Sequence, residues 1–331
     1  MNSPDWLHDP QSERIDLSVV IPVYKAEGCL QELYRRLVGS LEALRLTFEI
    51  VMVEDCGGDD SWRVIAELAG RDARLRGFKL SRNFGQHNAI TAGLDQARGD
   101  WTVIMDCDLQ DKPEDIGRLI EKTREGYDVV IGRSVVRRDS WIKQLAASAF
   151  YRMFSWFAGY RYDDGVRSFR IMSRDATEAL RSMREQMRSI GPLGAWIGFS
   201  STYLEVELKP RQAGRSSYDM RRLLRLAFDN IVAFSDKPLR ISISVGFAMS
   251  GCAFLYGLYI FTRAIMHNIP VPGWSSLITS LYFIGGLILA NLGVVGVYVG
   301  KIFDEAKKRP LYLIARRAAS AGAGDSAPRP R

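Results

Sequence analysis

Gly99–Glu114 reads GDWTVIMDCDLQDKPE, and in it an apolar run ends abruptly at two aspartates, Asp106 and Asp108. The apolar run is typical of a buried strand, and on an extended chain side chains two residues apart point the same way. Two carboxylates side by side at a strand end would hold Mg2+ or Mn2+ against a diphosphate. Ligands of open α/β sheets gather at the carboxyl ends of strands, which favours this interpretation. The alternative is a pair of solvated turn aspartates.

Strands and helices alternate on both sides of this stretch, with short connections between them. The predicted strands cover residues 17–24, 48–55, 75–82 and 127–134. One predicted helix follows Gly28, a second begins at Ser61 and a third spans residues 86–97. This alternation predicts an α/β fold, a mostly parallel sheet covered by helices. Farther along the chain the pattern predicts helices over 139–159 and 173–183, a strand over 201–211 and an amphipathic helix between residues 218 and 233.

Two long segments near the C-terminal end, residues 241–262 and 275–300, contain no charged residue. Each is long enough as a helix to cross a bilayer. Basic residues are concentrated outside the pair, whereas the short connector 263–274 is poor in them, so the positive-inside rule places both flanks in the cytoplasm. Attraction to anionic headgroups then accounts for much of the net charge of +7, and no nucleic-acid-binding signature is present. The sequence therefore predicts a lipid bilayer as a partner and no nucleic acid.

These features predict a division of the chain into five parts. Four cysteines without C-x-x-C spacing argue against a disulfide framework or a structural zinc site, and the N-terminus lacks a signal pattern, so the large domain is expected in the cytosol. The predicted parts are a flexible N-terminus (1–16), a cytosolic α/β domain (17–217), a juxtamembrane amphipathic helix (218–240), two transmembrane helices (241–300) and a basic cytosolic tail (301–331).

Three predicted strands end in polar groups that a parallel sheet would bring to one edge. The three ends are Pro22-Val23-Tyr24, Glu54-Asp55 and Asp106-Cys107-Asp108. Carboxylates at the second end would accept hydrogen bonds from a base or ribose, and the third end would bind a metal and a diphosphate. Together they suit a nucleoside diphosphate. For Glu54 and Asp55, solvated loop acids are the alternative.

Several motifs resemble the inverting family 2 glycosyltransferases with the GT-A fold. They are SVVIPVY, EIVMVED, RNFGQHNAITAGL, MDCDLQDKPE and GRSSY, and the apolar pair ends in the pattern GxYxGxIxxxxxxRPxY at residues 296–312. The last pattern is similar to the polyprenyl-phosphate branch of the family, which includes dolichyl-phosphate mannose synthase and undecaprenyl-phosphate 4-deoxy-4-formamido-L-arabinose transferases. The resemblance covers residues 17–312.

The resemblance implies roles for particular residues. Metal binding falls to Asp106, Asp108 and Gln110. Nucleotide binding falls to Pro22, Tyr24, Glu27, Glu54, Asp55, Arg82 and Asp106, where Glu27 stands one place later than the family's Tyr-Asn-Glu. Binding of the acceptor phosphate is implied for Arg133, Arg170, Arg211 and Ser216, and the catalytic pair would be Asp108 and Arg133.

The resemblance also implies a reaction and a location. A nucleotide sugar, expected to be a UDP-sugar, would donate its sugar to undecaprenyl phosphate for a cell-envelope glycan or lipid. The enzyme would be a multi-pass protein of the inner (cytoplasmic) membrane and a homo-oligomer. One alternative is a processive polysaccharide synthase, which the absence of a Gln-x-x-Arg-Trp motif and the presence of only two apolar segments disfavour. The other is a non-catalytic, membrane-tethered nucleotide-sugar binder or scaffold.

Overall fold

A computed structural model describes residues 14–134, 165–207, 235, 237–266 and 273–319. The chain divides into two compact units, the first containing the sheet and its helices and the second containing the two apolar helices. The helix predicted over 139–159 and the amphipathic helix predicted between 218 and 233 lie outside the described residues.

The first unit contains an eight-stranded sheet. Its strands are β1 (Leu17–Val23), β2 (Phe48–Glu54), β3 (Leu75–Leu80), β4 (Trp101–Ile104), β5 (Val129–Ser134), β6 (Val166–Ser173), β7 (Ser201–Val206) and β8 (Ile314–Ala318). Its helices are α1 (Leu30–Ala43), α2 (Ser61–Arg71), α3 (Gln86–Gln96), α4 (Ile116–Thr123), α5 (Arg174–Ser182) and α6 (Ile190–Trp196). The mostly parallel α/β fold expected from the sequence is confirmed.

The strand order is β7-β5-β6-β4-β1-β2-β3-β8, and only β6 and β8 run against the other strands. The carboxyl ends of β4, β1 and β2 therefore lie side by side at one edge, as the sequence predicts. Because β6 runs in the opposite direction between β4 and β5, its first residues reach the same edge. In the registers, Arg170 of β6 pairs with Ile104 of β4 and with Ile131 of β5.

Strands β6 and β8 are absent from the sequence-based prediction. Arg167 and Arg170 interrupt the apolar pattern of β6, although Arg170 is buried in the sheet. In β8, Arg316 and Arg317 are exposed on an edge strand, where no apolar alternation is required. The segment expected to be part of a basic tail thus completes the sheet, pairing antiparallel with β3.

Helices cover both faces of the sheet. On α1 the residues Leu30, Leu33, Leu37 and Leu41 are buried as its helical period predicts. On α3 the consecutive residues 89–94 are buried, and Gly93 sits directly on the sheet, because a methyl group there would lie 2.3 Å from Cγ1 of Val20 and 3.4 Å from Cγ2 of Val53. The close approach of α3 to β1 thus depends on the missing side chain.

We expect alanine to have opposite effects at two helical glycines. Gly93→Ala should destabilise the protein by about 1–3 kcal/mol, because the buried valines beneath the new methyl group have no room to move. Gly39→Ala on α1 should stabilise it by about 0.5–1 kcal/mol, because nothing lies within 4 Å and alanine loses less backbone entropy. Thermal melting of both purified variants tests the pair; a shift of the same sign in both would contradict the packing described for α3.

The second unit contains α7 (Lys237–Met266) and α8 (Trp274–Ala306). Within them, Leu239–Tyr259 and Ser280–Ala306 are long and apolar enough to cross a membrane, with mean hydropathies of 1.6 and 1.9 and no buried residue in either window. Ser242 of α7 donates a hydrogen bond to Asn291 of α8, and the Tyr298 hydroxyl donates to the Ser235 carbonyl over 2.8 Å. Polar contacts therefore join two helices whose large apolar side chains are otherwise exposed.

Candidate active site

Strained backbone marks the carboxyl edge of the sheet. Lys25, Cys56 and Leu109 have φ angles of 51°, 55° and 62°, and they follow β1, β2 and β4, the three neighbouring strands. Each costs about 1–2 kcal/mol for a residue with a side chain. Arg45 and Lys308, with φ angles of 55° and 48°, lie elsewhere. Because non-glycine residues in this region of φ cluster at functional sites, the three residues at this edge support the site expected from the sequence.

The acidic turn, residues 106–111, follows β4. Leu109 bends the chain so that the amide of Gln110 donates to Oδ1 of Asp108 over 3.1 Å. From the start of α3, Nε2 of Gln86 donates to Oδ1 of Asp106 over 2.8 Å. Both aspartates are half-buried. Gln86 lies in the quoted stretch RNFGQHNAITAGL, but no role was predicted for it from the sequence.

Arg167, at the start of β6, closes the other side of the acidic turn. Its guanidinium lies 3.2 Å from Oε1 of Gln110 and 3.5 Å from Oδ1 of Asp111. Burial raises the pKa of Asp111 to about 6, against the opposing charge of Arg167. Sequence reasoning missed Arg167, because only the reversed direction of β6 brings it to this edge.

Glu54 and Asp55 lie beneath the surface of the edge. Glu54 is fully buried, accepts from the amide of Gly57 over 2.6 Å and forms a 3.3 Å ion pair with Lys79. Asp55 accepts from the amides of Phe84 and Gly85 over 2.7 and 2.9 Å, and burial raises its pKa. In this structure both carboxylates hold loops in place. Both residues are buried, so a nucleoside in solvent would not reach either carboxylate directly.

At the end of β1, Pro22 is buried within the strand and the Tyr24 side chain is 50% exposed. Glu27 is exposed and accepts from the amide of Asp60 over 2.8 Å, next to the start of α2. The carboxylate of Asp59 in turn accepts from the amide of Glu27 over 3.2 Å. Tyr24 therefore offers the larger free surface of these residues to a nucleotide.

Arg82 and Arg133 are exposed cations beside aromatic rings. Arg82 lies 4.5 Å from the ring centroid of Phe84, and Arg133, at the end of β5, lies 6.0 Å from that of Tyr203. Such contacts hold a guanidinium against the face of the ring. Arg82 follows β3 and Arg133 is the last but one residue of β5, so the structure places both at the carboxyl edge of the sheet.

Arg170 differs because it is buried, with 4% of its surface exposed. Its guanidinium donates to the carbonyls of Ser168, Ile190 and Arg167 over 3.1, 3.4 and 2.9 Å. Burial lowers its pKa to about 10. Arg170 therefore holds the start of β6 to α6, whereas Arg211 and Ser216 lie outside the described residues.

The donor atoms at the acidic turn fit a hard cation. Asp106 and Asp108 offer carboxylate oxygens and Gln110 an amide oxygen, although that oxygen already accepts from Arg167. No cluster of three or more histidine, cysteine, aspartate or glutamate side chains suitable for a metal occurs in the part of the chain that the structure describes. One or two carboxylates plus substrate phosphates and water are the usual ligands of Mg2+. The turn therefore suits a cation bound together with a diphosphate.

His87, the second residue of α3, should make the protein sensitive to acid. Burial and then the charges of Arg170 and Arg188 lower its pKa to about 4, and its Nδ1 atom has no hydrogen-bond partner among the described residues. The unfolded state therefore binds the proton first, and stability is lost as the pH falls from about 6.5 towards 4.

Between pH 7.5 and pH 5 the free energy of unfolding should fall in both proteins, and the fall should be about 2 kcal/mol smaller in His87→Gln than in wild type. Melting temperatures at the two pH values measure the difference, which we expect to be about 5 °C. The opposite pH effect of Asp111 is common to both proteins and cancels. Equal losses in the two proteins would show that His87 is not held in its neutral form.

Comparison with known proteins identifies the class of this protein. The model of the family described as glycosyl transferase family 2 matches residues 18–186, and the chain belongs to this family. It is therefore an enzyme, a glycosyltransferase, which confirms the family expected from the motifs and removes support for a non-catalytic scaffold.

Relatives of known sequence match nearly the whole chain. "Prophage bactoprenol glucosyl transferase homolog" of Escherichia coli (strain K12) is 34% identical and covers 91% of this chain and 98% of its own length. "Bactoprenol glucosyl transferase" of Shigella phage SfX is also 34% identical and covers 91% and 99%. "Uncharacterized glycosyltransferase YkcC" of Bacillus subtilis (strain 168) is 36% identical and covers 92% and 94%.

Among solved structures, glucosyl-3-phosphoglycerate synthase from Mycobacterium tuberculosis in complex with phosphoglyceric acid is 17% identical. The match covers 70% of this chain and 85% of that one, with a TM-score of 0.46.

Proposed function

We propose that this enzyme transfers a sugar, with glucose as the first candidate, from a UDP-sugar to a polyprenyl phosphate such as undecaprenyl phosphate. The observation that carries the proposal is the acidic turn, held between Gln86 and Arg167, in a chain whose relatives named for a substrate are bactoprenol glucosyl transferases. The same lipid acceptor is expected from the pattern at residues 296–312. The identities of the sugar and of the nucleobase are inferred from the similarity to other proteins, and both form part of the proposal.

On the donor side, we assign direct contacts with the nucleotide to exposed groups at the carboxyl edge. Tyr24 would stack on or border the base, and Arg82 would meet the diphosphate. The buried Pro22 and the exposed Glu27 would shape the chain on either side of Tyr24. Glu54 and Asp55 would act from below, by fixing the loops after β2 and β3. The nucleotide set expected from the sequence thus divides into contacting and positioning residues.

We place the metal at Asp106 and Asp108, with Gln110 completing the turn. The two carboxylates would hold Mg2+ or Mn2+ against the donor diphosphate, and Gln86 and Arg167 would keep the turn in position. When bound, the ion would act as a Lewis acid that stabilises the departing nucleoside diphosphate. Gln86 would orient Asp106 by its hydrogen bond, which is a positioning role.

The acceptor explains why no strong base is needed. A phosphate monoester is largely anionic near neutral pH, so its oxygen can attack the anomeric carbon without losing a proton to the protein. The bond from that carbon to the diphosphate oxygen breaks as the new one forms, which inverts the anomeric centre. Donor and acceptor phosphates repel each other, and the residues assigned to hold the acceptor are Arg133, Arg170, Arg211 and Ser216.

We propose that α7 and α8 cross the inner membrane as a hairpin, with the catalytic domain in the cytoplasm. Neither apolar window contains a buried residue, and basic residues are concentrated outside the uncharged segments 241–262 and 275–300. A polyprenyl chain stays in the bilayer, so an anchored enzyme meets its acceptor at the headgroup level. The domain boundaries at residues 17, 217, 241 and 300 belong to this proposal, except that β8 adds part of the last segment to the catalytic sheet.

Incubation of the full-length protein in nanodiscs with undecaprenyl phosphate, Mn2+ or Mg2+ and a panel of UDP- and GDP-sugars tests the proposal. We expect UDP release and a glycosyl phosphate lipid with UDP-glucose, loss of both with EDTA, and no product when polyprenol replaces its phosphate. Extension to a polymer would favour a processive synthase. Transfer to a soluble acceptor in preference to the lipid, or nucleotide release without a glycolipid, would refute the assignment.

A further inference from the structure

The chain returns to the catalytic sheet after α8, through residues 310–318, which we call the C-terminal clamp. The clamp contains β8, whose Ile314 and Arg317 pair with Leu80 and Phe78 of β3. The carbonyl of Leu313 also accepts from the amide of Ser81 over 2.8 Å. Ser81 is the first residue of the β3–α3 loop, residues 81–85, so the clamp is bonded to the beginning of that loop.

A second attachment joins the clamp to α3. The Tyr312 hydroxyl donates to Oδ2 of Asp95 over 2.6 Å, and the same carboxylate pairs with both terminal nitrogens of Arg184 over 2.8 and 2.9 Å. Burial raises the pKa of Tyr312, which keeps its hydroxyl protonated as a donor. Such charge-assisted bonds are shorter and stronger than bonds between neutral groups. Tyr312 is also the last residue of the pattern that ends in RPxY.

The loop between these attachments leads to the acidic turn. Its far end is held by Asp55 through the amides of Phe84 and Gly85, and the next residue, Gln86, donates to Asp106. Arg82 is the second residue of the loop, and it is exposed. A shift of β3's end or of α3 would therefore move Arg82 and Gln86 together.

We propose that the C-terminal clamp is a positioning element for the donor, which sets the β3–α3 loop through Ser81 and α3 through Tyr312 and Asp95. This inference rests on the proposed function for its kinetic consequence, but its structural part does not. A short edge strand is weakly held by itself. The Tyr312–Asp95 bond supplies a side-chain attachment that the strand's backbone pairing lacks.

The chain offers a closely matched control. The Tyr34 hydroxyl donates to Oδ2 of Asp72 over 2.7 Å, and that carboxylate pairs with Nη2 of Arg74 over 2.9 Å, so the same three residue types meet at one carboxylate. Tyr34 lies on α1, and among the described residues its hydroxyl bonds Asp72 and not the β3–α3 loop. Tyr312→Phe and Tyr34→Phe therefore each remove one hydroxyl of the same kind, but only the first is bonded to the clamp.

Hydrogen exchange of the full-length protein in nanodiscs measures the loop directly. With Tyr312→Phe we expect exchange in residues 81–86 to accelerate about fivefold, the loss of one net hydrogen bond, whereas Tyr34→Phe should leave this segment unchanged. Asp95→Asn removes the negative charge that strengthens both the Tyr312 hydrogen bond and the Arg184 ion pair. It should therefore accelerate exchange in the same segment. Unchanged exchange in both Tyr312→Phe and Asp95→Asn would overturn the proposal.

Kinetics provide the second readout. Tyr312→Phe should raise KM for the nucleotide sugar about fivefold, with kcat and the KM for lipid phosphate nearly unchanged. A fall in kcat with both KM values unchanged would indicate a general loss of structure and contradict a role of the clamp in donor binding. A fivefold rise in KM for the nucleotide sugar in Tyr34→Phe as well would contradict it in the same way. If wild-type protein transferred no sugar to lipid phosphate, the proposed function would fail, while the exchange measurement would still decide the clamp's effect on the loop.

Discussion

Asp108→Asn should lower the rate of sugar transfer by about three orders of magnitude, because it removes a metal-binding charge where the departing diphosphate needs stabilisation. The substitution preserves shape, and the Oδ1 atom that accepts from the Gln110 amide is retained. The fold should therefore survive. Turnover of UDP-glucose with undecaprenyl phosphate, measured against Mn2+ concentration, gives both the loss of rate and the weakened response to metal.

Asp100→Asn is the matched control for this experiment. Asp100 immediately precedes β4, at the end of the strand opposite the acidic turn, and pairs with Arg14 over 2.7 Å and with Arg174 over 3.4 Å. Because exposed ion pairs contribute about 0–1 kcal/mol, its loss should leave turnover close to wild type. Wild-type turnover and metal response in Asp108→Asn would refute the assignment of the metal to the acidic turn.

Arg133→Gln should reduce kcat/KM for the lipid phosphate by about a hundredfold, since it removes a cation assigned to the acceptor phosphate. KM for the nucleotide sugar should stay unchanged. Arg133→Lys should fall between wild type and Arg133→Gln, because lysine keeps the charge but loses the planar pair of donors and stacks less well on Tyr203. Steady-state assays with each substrate varied in turn measure these effects.

Arg35→Gln controls for a general loss of positive charge. Arg35 is an exposed residue of α1, paired with Glu32 over 2.7 Å, so its removal should change neither KM. If Arg133→Gln instead raised KM for the nucleotide sugar and spared the lipid phosphate, Arg133 would belong to the donor side. Equal losses in Arg133→Gln and Arg35→Gln would indicate that overall surface charge, rather than a specific contact, governs acceptor binding.

Periodic elements were predictable because their signals are local. The leucines of α1 repeat every three or four residues, and β1, β2 and β4 are continuous apolar runs, so these elements and their parallel arrangement follow from short stretches of sequence. The position of Asp106 and Asp108 at the carboxyl end of β4 was also predictable, since the two acids directly follow a buried apolar run. Strand β6 was missed because Arg167 and the buried Arg170 interrupt its apolar pattern, and β8 was missed because an exposed edge strand needs no such pattern.

Roles within the site depended on partners distant in the chain. Glu54 and Asp55 look like surface ligands in the sequence, yet their carboxylates are occupied by Gly57 and Lys79 and by the amides after β3. Arg167 reaches the acidic turn only because β6 runs against its neighbours. A pattern of residue types does not encode which hydrogen-bond acceptors are already satisfied.

The order of residues alone was enough to predict the α/β class, the apolar pair of helices, the family and the acidic turn. Each of these depends on periodicity or on neighbours a few positions apart. Folding decided which acids face outward, which arginine closes the turn, and that the chain after α8 returns to β3 and α3. Those outcomes require contacts such as Tyr312 to Asp95, which join segments more than two hundred residues apart. Their energies exist only once the sheet has assembled and removed the competing water.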